Sequence, residues 1–208
     1  MAEPTVHIID DDPAIRDSLA LLLQSSGLKA VAYPSAESFL AVALDGPGCL
    51  VLDVRMPGMG GLALQEELAR RDRRIPVIVV TGHADVPLAV RAMKAGAVDF
   101  VEKPFDHEAL LAAVRKALDL GIETARITAR DEEVQRRVGL LTPREREVLD
   151  ALIAGKPNKI IARELSISHR TVEIHRARVM EKMRARTLSE LVRMGLSVGI
   201  GGSRSRSR

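Results

Sequence analysis

A single cysteine, Cys49, excludes a disulfide scaffold within the chain and points to a reducing compartment. Cys49 lies inside an apolar run, so it is read as a small buried residue and not as a nucleophile. No apolar run is long enough to span a bilayer. The opening residues, MAEPTVHIID, lack a basic segment followed by a long apolar one, so no secretory signal is expected. A cytoplasmic protein without a membrane partner is the expectation. No internal repeat is evident.

What is present divides in two. The chain has 208 residues, more than one average domain, and its hydrophobic content of 46% permits a core. The net charge of +3 hides an asymmetry. Residues 1–120 carry 12 Lys and Arg against 17 Asp and Glu, whereas residues 121–208 carry 19 against 11. An acidic half joined to a basic half suggests two domains with different partners. The basic half is the nucleic-acid candidate, because neutralising phosphates releases counterions.

Residues 1–120 alternate strand and helix signals. Apolar runs at 6–10, 28–33, 49–54, 76–81 and 97–102 predict strands, and periodic segments at 13–26, 35–44, 62–71, 86–95 and 107–118 predict helices. Asp12 is placed to cap the first helix, with Pro13 at its first position. Five βα units imply a parallel sheet covered on both faces, an α/β doubly wound, flavodoxin-like fold with strand order 2-1-3-4-5. Residues 121–139 contain no Pro and have Gly only at 121 and 139, so a helical linker is expected there and not a floppy one. Beyond Leu141 strand signals vanish. Thr142-Pro143-Arg144-Glu145 is a capping box opening a helix that stops at Gly155. A short helix over 158–165, another from 168 or 169 to 183, and a fourth beginning at 188 predict an all-α helix-turn-helix domain over 140–198. The Gly and Ser-Arg tail, 199–208, is expected to be disordered.

Ligands bind at the carboxyl ends of strands in such sheets. There the sequence places Asp10 and Asp11 after strand one, Asp53 at the end of strand three, Thr81 after strand four and Lys103 after strand five. Crowded carboxylates raise one another's pKa unless a cation such as Mg²⁺ joins them. Asp53 is then a nucleophile toward phosphorus, forming an acyl phosphate. Lys103 and Thr81 would hold phosphoryl oxygens.

These residues, with Met56-Pro57-Gly58, Thr81-Gly82 and Lys103-Pro104, resemble the receiver domain of two-component response regulators. The resemblance implies that Asp53 is the phosphoacceptor and that Asp11, Asp53 and the backbone carbonyl of Arg55 hold Mg²⁺. Asp10 would support the metal through water, and Thr81 and Phe100 would be coupled switch residues. It also implies a cis peptide at Lys103-Pro104. The C-terminal segment is similar to the LuxR-type DNA-binding domain, through Leu141-Thr142-Pro143-Arg144-Glu145-Arg146-Glu147-Val148-Leu149 and Thr171-Val172-Glu173-Ile174-His175. The pairing resembles the FixJ/NarL group, and Gly82-His83-Ala84-Asp85-Val86-Pro87 places it nearer the FixJ branch.

In a helix-turn-helix the second helix enters the major groove. Arg170, Glu173, Ile174, Ala177, Arg178 and Glu181 share its outward face, where Glu173 could accept from a cytosine amino group and Ile174 could touch a thymine methyl. Asn158, Lys159, Thr171, Arg178 and Lys182 suit phosphates. His175 is read as a satisfied packing residue. The expected function is a transcription factor switched by a sensor histidine kinase, not an enzyme. Its partners would be double-stranded promoter DNA, RNA polymerase and, once phosphorylated, a second copy of itself. Two alternatives stand beside it. One is a Mg²⁺-dependent phosphohydrolase with an Asp nucleophile, against which Arg55 occupies the position where the haloacid-dehalogenase-like phosphatases carry a second Asp. The other is a DNA-binding protein that does not depend on phosphorylation.

Overall fold

Aliphatic and β-branched runs form β1 (Thr5–Ile9), β2 (Lys29–Tyr33), β3 (Gly48–Asp53), β4 (Val77–Thr81) and β5 (Asp99–Glu102). The structure, a computed structural model, describes residues 3–44, 46–82 and 86–201. The strands pair in parallel in the order β2-β1-β3-β4-β5. Ile9 lies opposite Leu52, and Thr81 opposite Glu102. Consequently Asp10, Asp53, Thr81 and Lys103 all sit at one edge of the sheet.

The sheet is covered by α1 (Pro13–Ser25), α2 (Ala36–Leu40), α3 (Gly61–Arg70), α4 (Val86–Lys94) and the first turns of α5 (His107–Gly139). Successive strand residues point to opposite faces. Val6, Ile8, Val51 and Ile78 therefore pack with Leu23 and Leu110, whereas Ile9, Leu50, Leu52 and Val79 pack with Phe39 and Leu64. Every residue of β3 is buried, as befits the centre of a parallel sheet. The Asp12 carboxylate accepts from the Ala14 amide at 2.8 Å and starts α1 as expected.

The chain divides into two compact units, Met1–Arg126 and Ile127–Arg208. The second contains α6 (Pro143–Ile153), α7 (Asn158–Glu164), α8 (His169–Met183) and α9 (Leu188–Ser197) around an aliphatic core that includes Leu149, Ile161, Val172, Val179 and Leu191. Its capping box forms as expected: Glu145 N donates to Thr142 Oγ1 and Thr142 N to Glu145 Oε2.

Three boundaries differ from the expectation. The fifth helix does not end at residue 118 but continues through the linker segment for 33 residues in all. Gly121 does not break it because the position needs glycine for packing: a Cβ there would collide with the carbonyl oxygen of Gly48. The second helix stops at Leu40, and Leu44 instead packs against the sheet layer beside Leu40. Finally, order does not end at residue 198. Gly199 takes φ +77°, Ile200 N donates to the Gly195 carbonyl, and the Ile200 side chain is buried in the second core. The rest of the expected disordered tail, 202–208, lies outside the described residues, as do residues 83–85 of the FixJ-like motif.

Candidate functional site: an acidic pocket and a reading helix

At the carboxyl edge of the sheet one ammonium bridges two buried carboxylates. Lys103 Nζ donates to Asp10 Oδ2 at 2.7 Å and to Asp53 Oδ1 at 2.8 Å. Asp10 and Asp53 are 3% and 7% exposed, so neither carboxylate is fully hydrated. The remaining oxygens are held by the backbone: Asp12 N donates to Asp10 Oδ1 and Arg55 N to Asp53 Oδ2, at 3.0 and 2.6 Å. Arg16 fixes the Asp10 carbonyl at 2.7 Å. Nothing in the sequence singled out Arg16, one of two charged residues on α1.

Burial pushes the Asp53 carboxyl above its ordinary value, with the Asp10 charge adding to it. The Lys103 ammonium and the Arg55 amide offset only part of this. Burial pulls the Lys103 ammonium down, but its bonds to Asp10 and Asp53 outweigh that and its pKa is raised. Thr81, at the end of β4, is buried, and its carbonyl accepts from Lys103 N at 2.8 Å. Phe100 is half-buried against the layer that contains Leu64. The Lys103-Pro104 peptide is cis. Cys49 is buried, and burial pushes its thiol up to about 12, which removes it as a nucleophile.

Asp11, expected in the same pocket, is exposed. Among the described residues, no three His, Cys, Asp or Glu side chains converge in a metal-holding geometry. Lys103 takes one oxygen of each buried carboxylate. Arg55, whose carbonyl was the expected ligand, contributes its amide to Asp53. The donor set still fits a hard cation, because two desolvated carboxylates share one ammonium and a net negative charge remains.

In the second unit Ser168 Oγ accepts from the Thr171 amide and caps α8. Arg170, Glu173, Ile174 and Ala177 line a shallow, open concavity together with His169. Ile174 is 47% exposed. His169 and Glu173 approach to 3.5 Å across one helical turn. Lys159 and Arg178 are exposed. Asn158 accepts from Arg176 at 3.4 Å, a partner the sequence did not reveal. Thr171 shares its hydroxyl with Ser168 at 2.8 Å, so its side chain helps to close the cap.

Two further expectations are revised. Lys182, predicted to be a phosphate contact, donates to Glu145 Oε2 at 2.6 Å and to the Leu140 carbonyl at 3.1 Å. It is committed inside the domain because Glu145, 2% exposed, needs a cation. His175 packs inward, but its Nδ1 is buried without a hydrogen-bond partner. Its helical neighbours at i−3 and i+4, Val172 and Val179, offer none.

The Lys182 ammonium and the Thr142 amide hold the Glu145 carboxyl at about 2, against an ordinary 4.5. A depressed carboxyl stabilises the fold fully above its ordinary value and loses that contribution as pH falls toward the folded one. Acid titration should therefore show a loss of stability between about pH 4.5 and 2 in the wild type. Glu145→Gln should lack this component; coincident acid-unfolding curves by circular dichroism would contradict the assignment.

Among the described residues, no helix is long and apolar enough to cross a membrane. A receiver-type acidic pocket and a helix-turn-helix in one chain define a class of phosphorylation-linked regulators, and comparison with known proteins agrees. Residues 6–115 match the model of the response regulator receiver domain, and residues 139–195 that of the bacterial regulatory proteins of the luxR family. The chain is 55% identical over 197 residues to the transcriptional regulatory protein FixJ of Azorhizobium caulinodans, covering 94% of this chain and 93% of that one. Full-length FixJ from B. japonicum is 46% identical, with 96% of this chain and 98% of that chain covered and a TM-score of 0.56. The response regulator StyR is 42% identical, with 93% and 98% covered and a TM-score of 0.75. The chain belongs to the FixJ-like two-component response regulators, which are transcription regulators with a receiver and a LuxR-type DNA-binding domain. A histidine kinase and DNA are the partners that this pairing of domains implies.

Proposed function

We propose that Asp53 is the phosphoacceptor and that its phosphorylation by a sensor histidine kinase drives dimerisation and binding to promoter DNA. The observation that carries this reading is the Lys103 ammonium bridging the buried Asp10 and Asp53 at the carboxyl edge of the sheet. An Asp53 carboxylate oxygen attacks phosphorus, the bond from phosphorus to the kinase histidine nitrogen breaks, and that nitrogen keeps the electron pair. Lys103 is placed to turn from the Asp53 oxygen to the transferred phosphoryl oxygens. Mg²⁺, held by Asp11, Asp53 and the Arg55 carbonyl with Asp10 through water, would neutralise phosphoryl charge. The phosphohydrolase alternative is disfavoured by Arg55, where a second Asp would be needed.

Thr81 and Phe100 lie on adjacent strands, so a phosphoryl group bonded by Thr81 would reach Phe100 through one packed step. A ligand moves such an equilibrium only by its differential affinity for the two states. The face formed by α4, β5 and α5 is the proposed dimer surface. It is supported by Val86, Val90 and Met93, spaced along α4 and 77%, 45% and 48% exposed. A two-fold dimer presents two copies of α8, so the operator should be roughly palindromic. On α8, Arg170, Glu173, Ile174 and Ala177 read base edges, and Lys159 and Arg178 contact phosphates. Recruitment of RNA polymerase and a cytoplasmic location complete the reading. Sedimentation with and without acetyl phosphate and Mg²⁺ tests it: a monomer–dimer shift and tighter DNA binding are expected. An unchanged monomer with unchanged DNA affinity would sink it.

A further inference from the structure

The end of α5 and the end of α8 cap one another. Arg137, near the end of α5, donates from its guanidinium to the carbonyl of Met183, the last residue of α8, at 3.0 Å. Lys182, one residue earlier on α8, donates to the carbonyl of Leu140, immediately beyond α5, at 3.1 Å. The last carbonyls of a helix lack partners within it, and cations there also meet the negative end of the helix dipole. Each helix thus supplies the cation that the other's C-terminus lacks. Glu133 holds the Arg137 guanidinium from one turn earlier, Nε to Oε1 at 2.8 Å. Val134 and Val138, 2% and 6% exposed, lie in the same core as Val172, Val179 and Met183 of α8. Gln135 donates to the Val198 carbonyl at 3.2 Å.

We propose that the last two turns of α5 belong to the DNA-reading unit, with Arg137 as a positioning residue that fixes the angle of α8 for base recognition. The proposal rests on α8 being the reading helix. Arg170 precedes Met183 by 13 residues, about 20 Å of helix at about 1.5 Å per residue. A pivot of about 10° about the clamped end would displace Arg170 by about 3 Å, far beyond the roughly 0.5 Å tolerance of a preorganised contact. Phosphate contacts tolerate such a tilt better than base contacts, because backbone phosphates recur along the duplex and carry no sequence. Loss of Arg137 should therefore cost specificity and leave non-specific affinity in place. Lys182 works from the opposite side, but it also serves Glu145, so Arg137 is the cleaner probe.

The test uses the full chain and two duplexes, one selected by the wild type from a random pool and one of scrambled sequence. Arg137→Ala should weaken binding to the selected duplex on the order of tenfold, the scale of one or two disturbed base contacts. Affinity for the scrambled duplex and the salt dependence should not change, and Arg137→Lys should restore most of the loss. An unchanged ratio between the duplexes overturns the proposal. So does an equal loss on both with a salt slope lower by about one, which would make Arg137 a phosphate contact. If Arg137→Ala does not fold, Arg137→Met against Arg137→Lys decides, since both keep a long stem and only Lys can donate; equal specificity in the two refutes positioning. Arg170→Ala separates the underlying reading: specificity that survives it means α8 is not the reader, whatever Arg137 does.

Discussion

Asp53→Asn will abolish labelling of the chain by acetyl phosphate while leaving the receiver folded. The amide keeps the size of the carboxyl, and its oxygen can still accept from the Arg55 amide. It has no anionic oxygen to attack phosphorus. Folding is not harmed, because the Asp53 carboxyl sits above its ordinary 3.8, mainly through burial. A raised carboxyl opposes folding once pH climbs above that ordinary value, and the neutral amide removes this opposition. Lys103 keeps Asp10 as its partner. Intact mass before and after incubation with acetyl phosphate and Mg²⁺ reads the outcome. Labelling of the variant at the wild-type rate would place the phosphoacceptor elsewhere.

Lys103→Met will destabilise the receiver on the order of 3 kcal/mol near neutral pH, because it strands two buried carboxylates without their cation. The loss will depend on pH in a set direction. Without the ammonium only the Arg55 amide still offsets the burial that already raises Asp53. The folded variant then binds a proton that the unfolded chain releases above about 3.8. Stability relative to wild type falls as pH rises from that value through the raised folded one, so the gap widens with pH. Urea unfolding of both proteins at pH 5 and pH 8 measures it, and a gap of equal size at the two values would contradict the bridge. Millimolar Mg²⁺ should recover part of the loss at pH 8, since a divalent cation can replace the missing charge.

Much of this site is legible in the sequence because strands end abruptly. A polar or charged residue at or just after the end of an apolar run lands at a sheet edge, and parallel topology brings four such edges together. That reasoning finds Asp10, Asp53, Thr81 and Lys103 without contacts in hand. Beside them Asp11 is exposed, a difference in burial from Asp10 that two adjacent aspartates do not announce. In the DNA-binding half, helical periodicity sorts Val172 and Val179 from Arg170, Glu173 and Ile174, because an outward face follows from spacing alone. Lys182 escapes the method: its partner, Glu145, is 37 positions away, and nothing local tells a committed lysine from a free one. Arg137 escapes for the same reason. Ile200 was lost to the expectation that glycine begins a tail, whereas Gly199 and Gly201 turn the chain back so that Ile200 reaches the core.

Between Gly121, packed against β3, and Val134, in the second core, α5 has no buried residue. The buried hydrophobic residues before that stretch and those after it belong to separate clusters. Genetic recombination with a breakpoint anywhere from residue 122 to 133 would therefore join two complete cores and break neither. Receivers tuned to new signals and helices tuned to new operators can be exchanged across this stretch of helix as finished parts. A family assembled in this way can diversify its inputs and outputs by shuffling genes as readily as by point mutation.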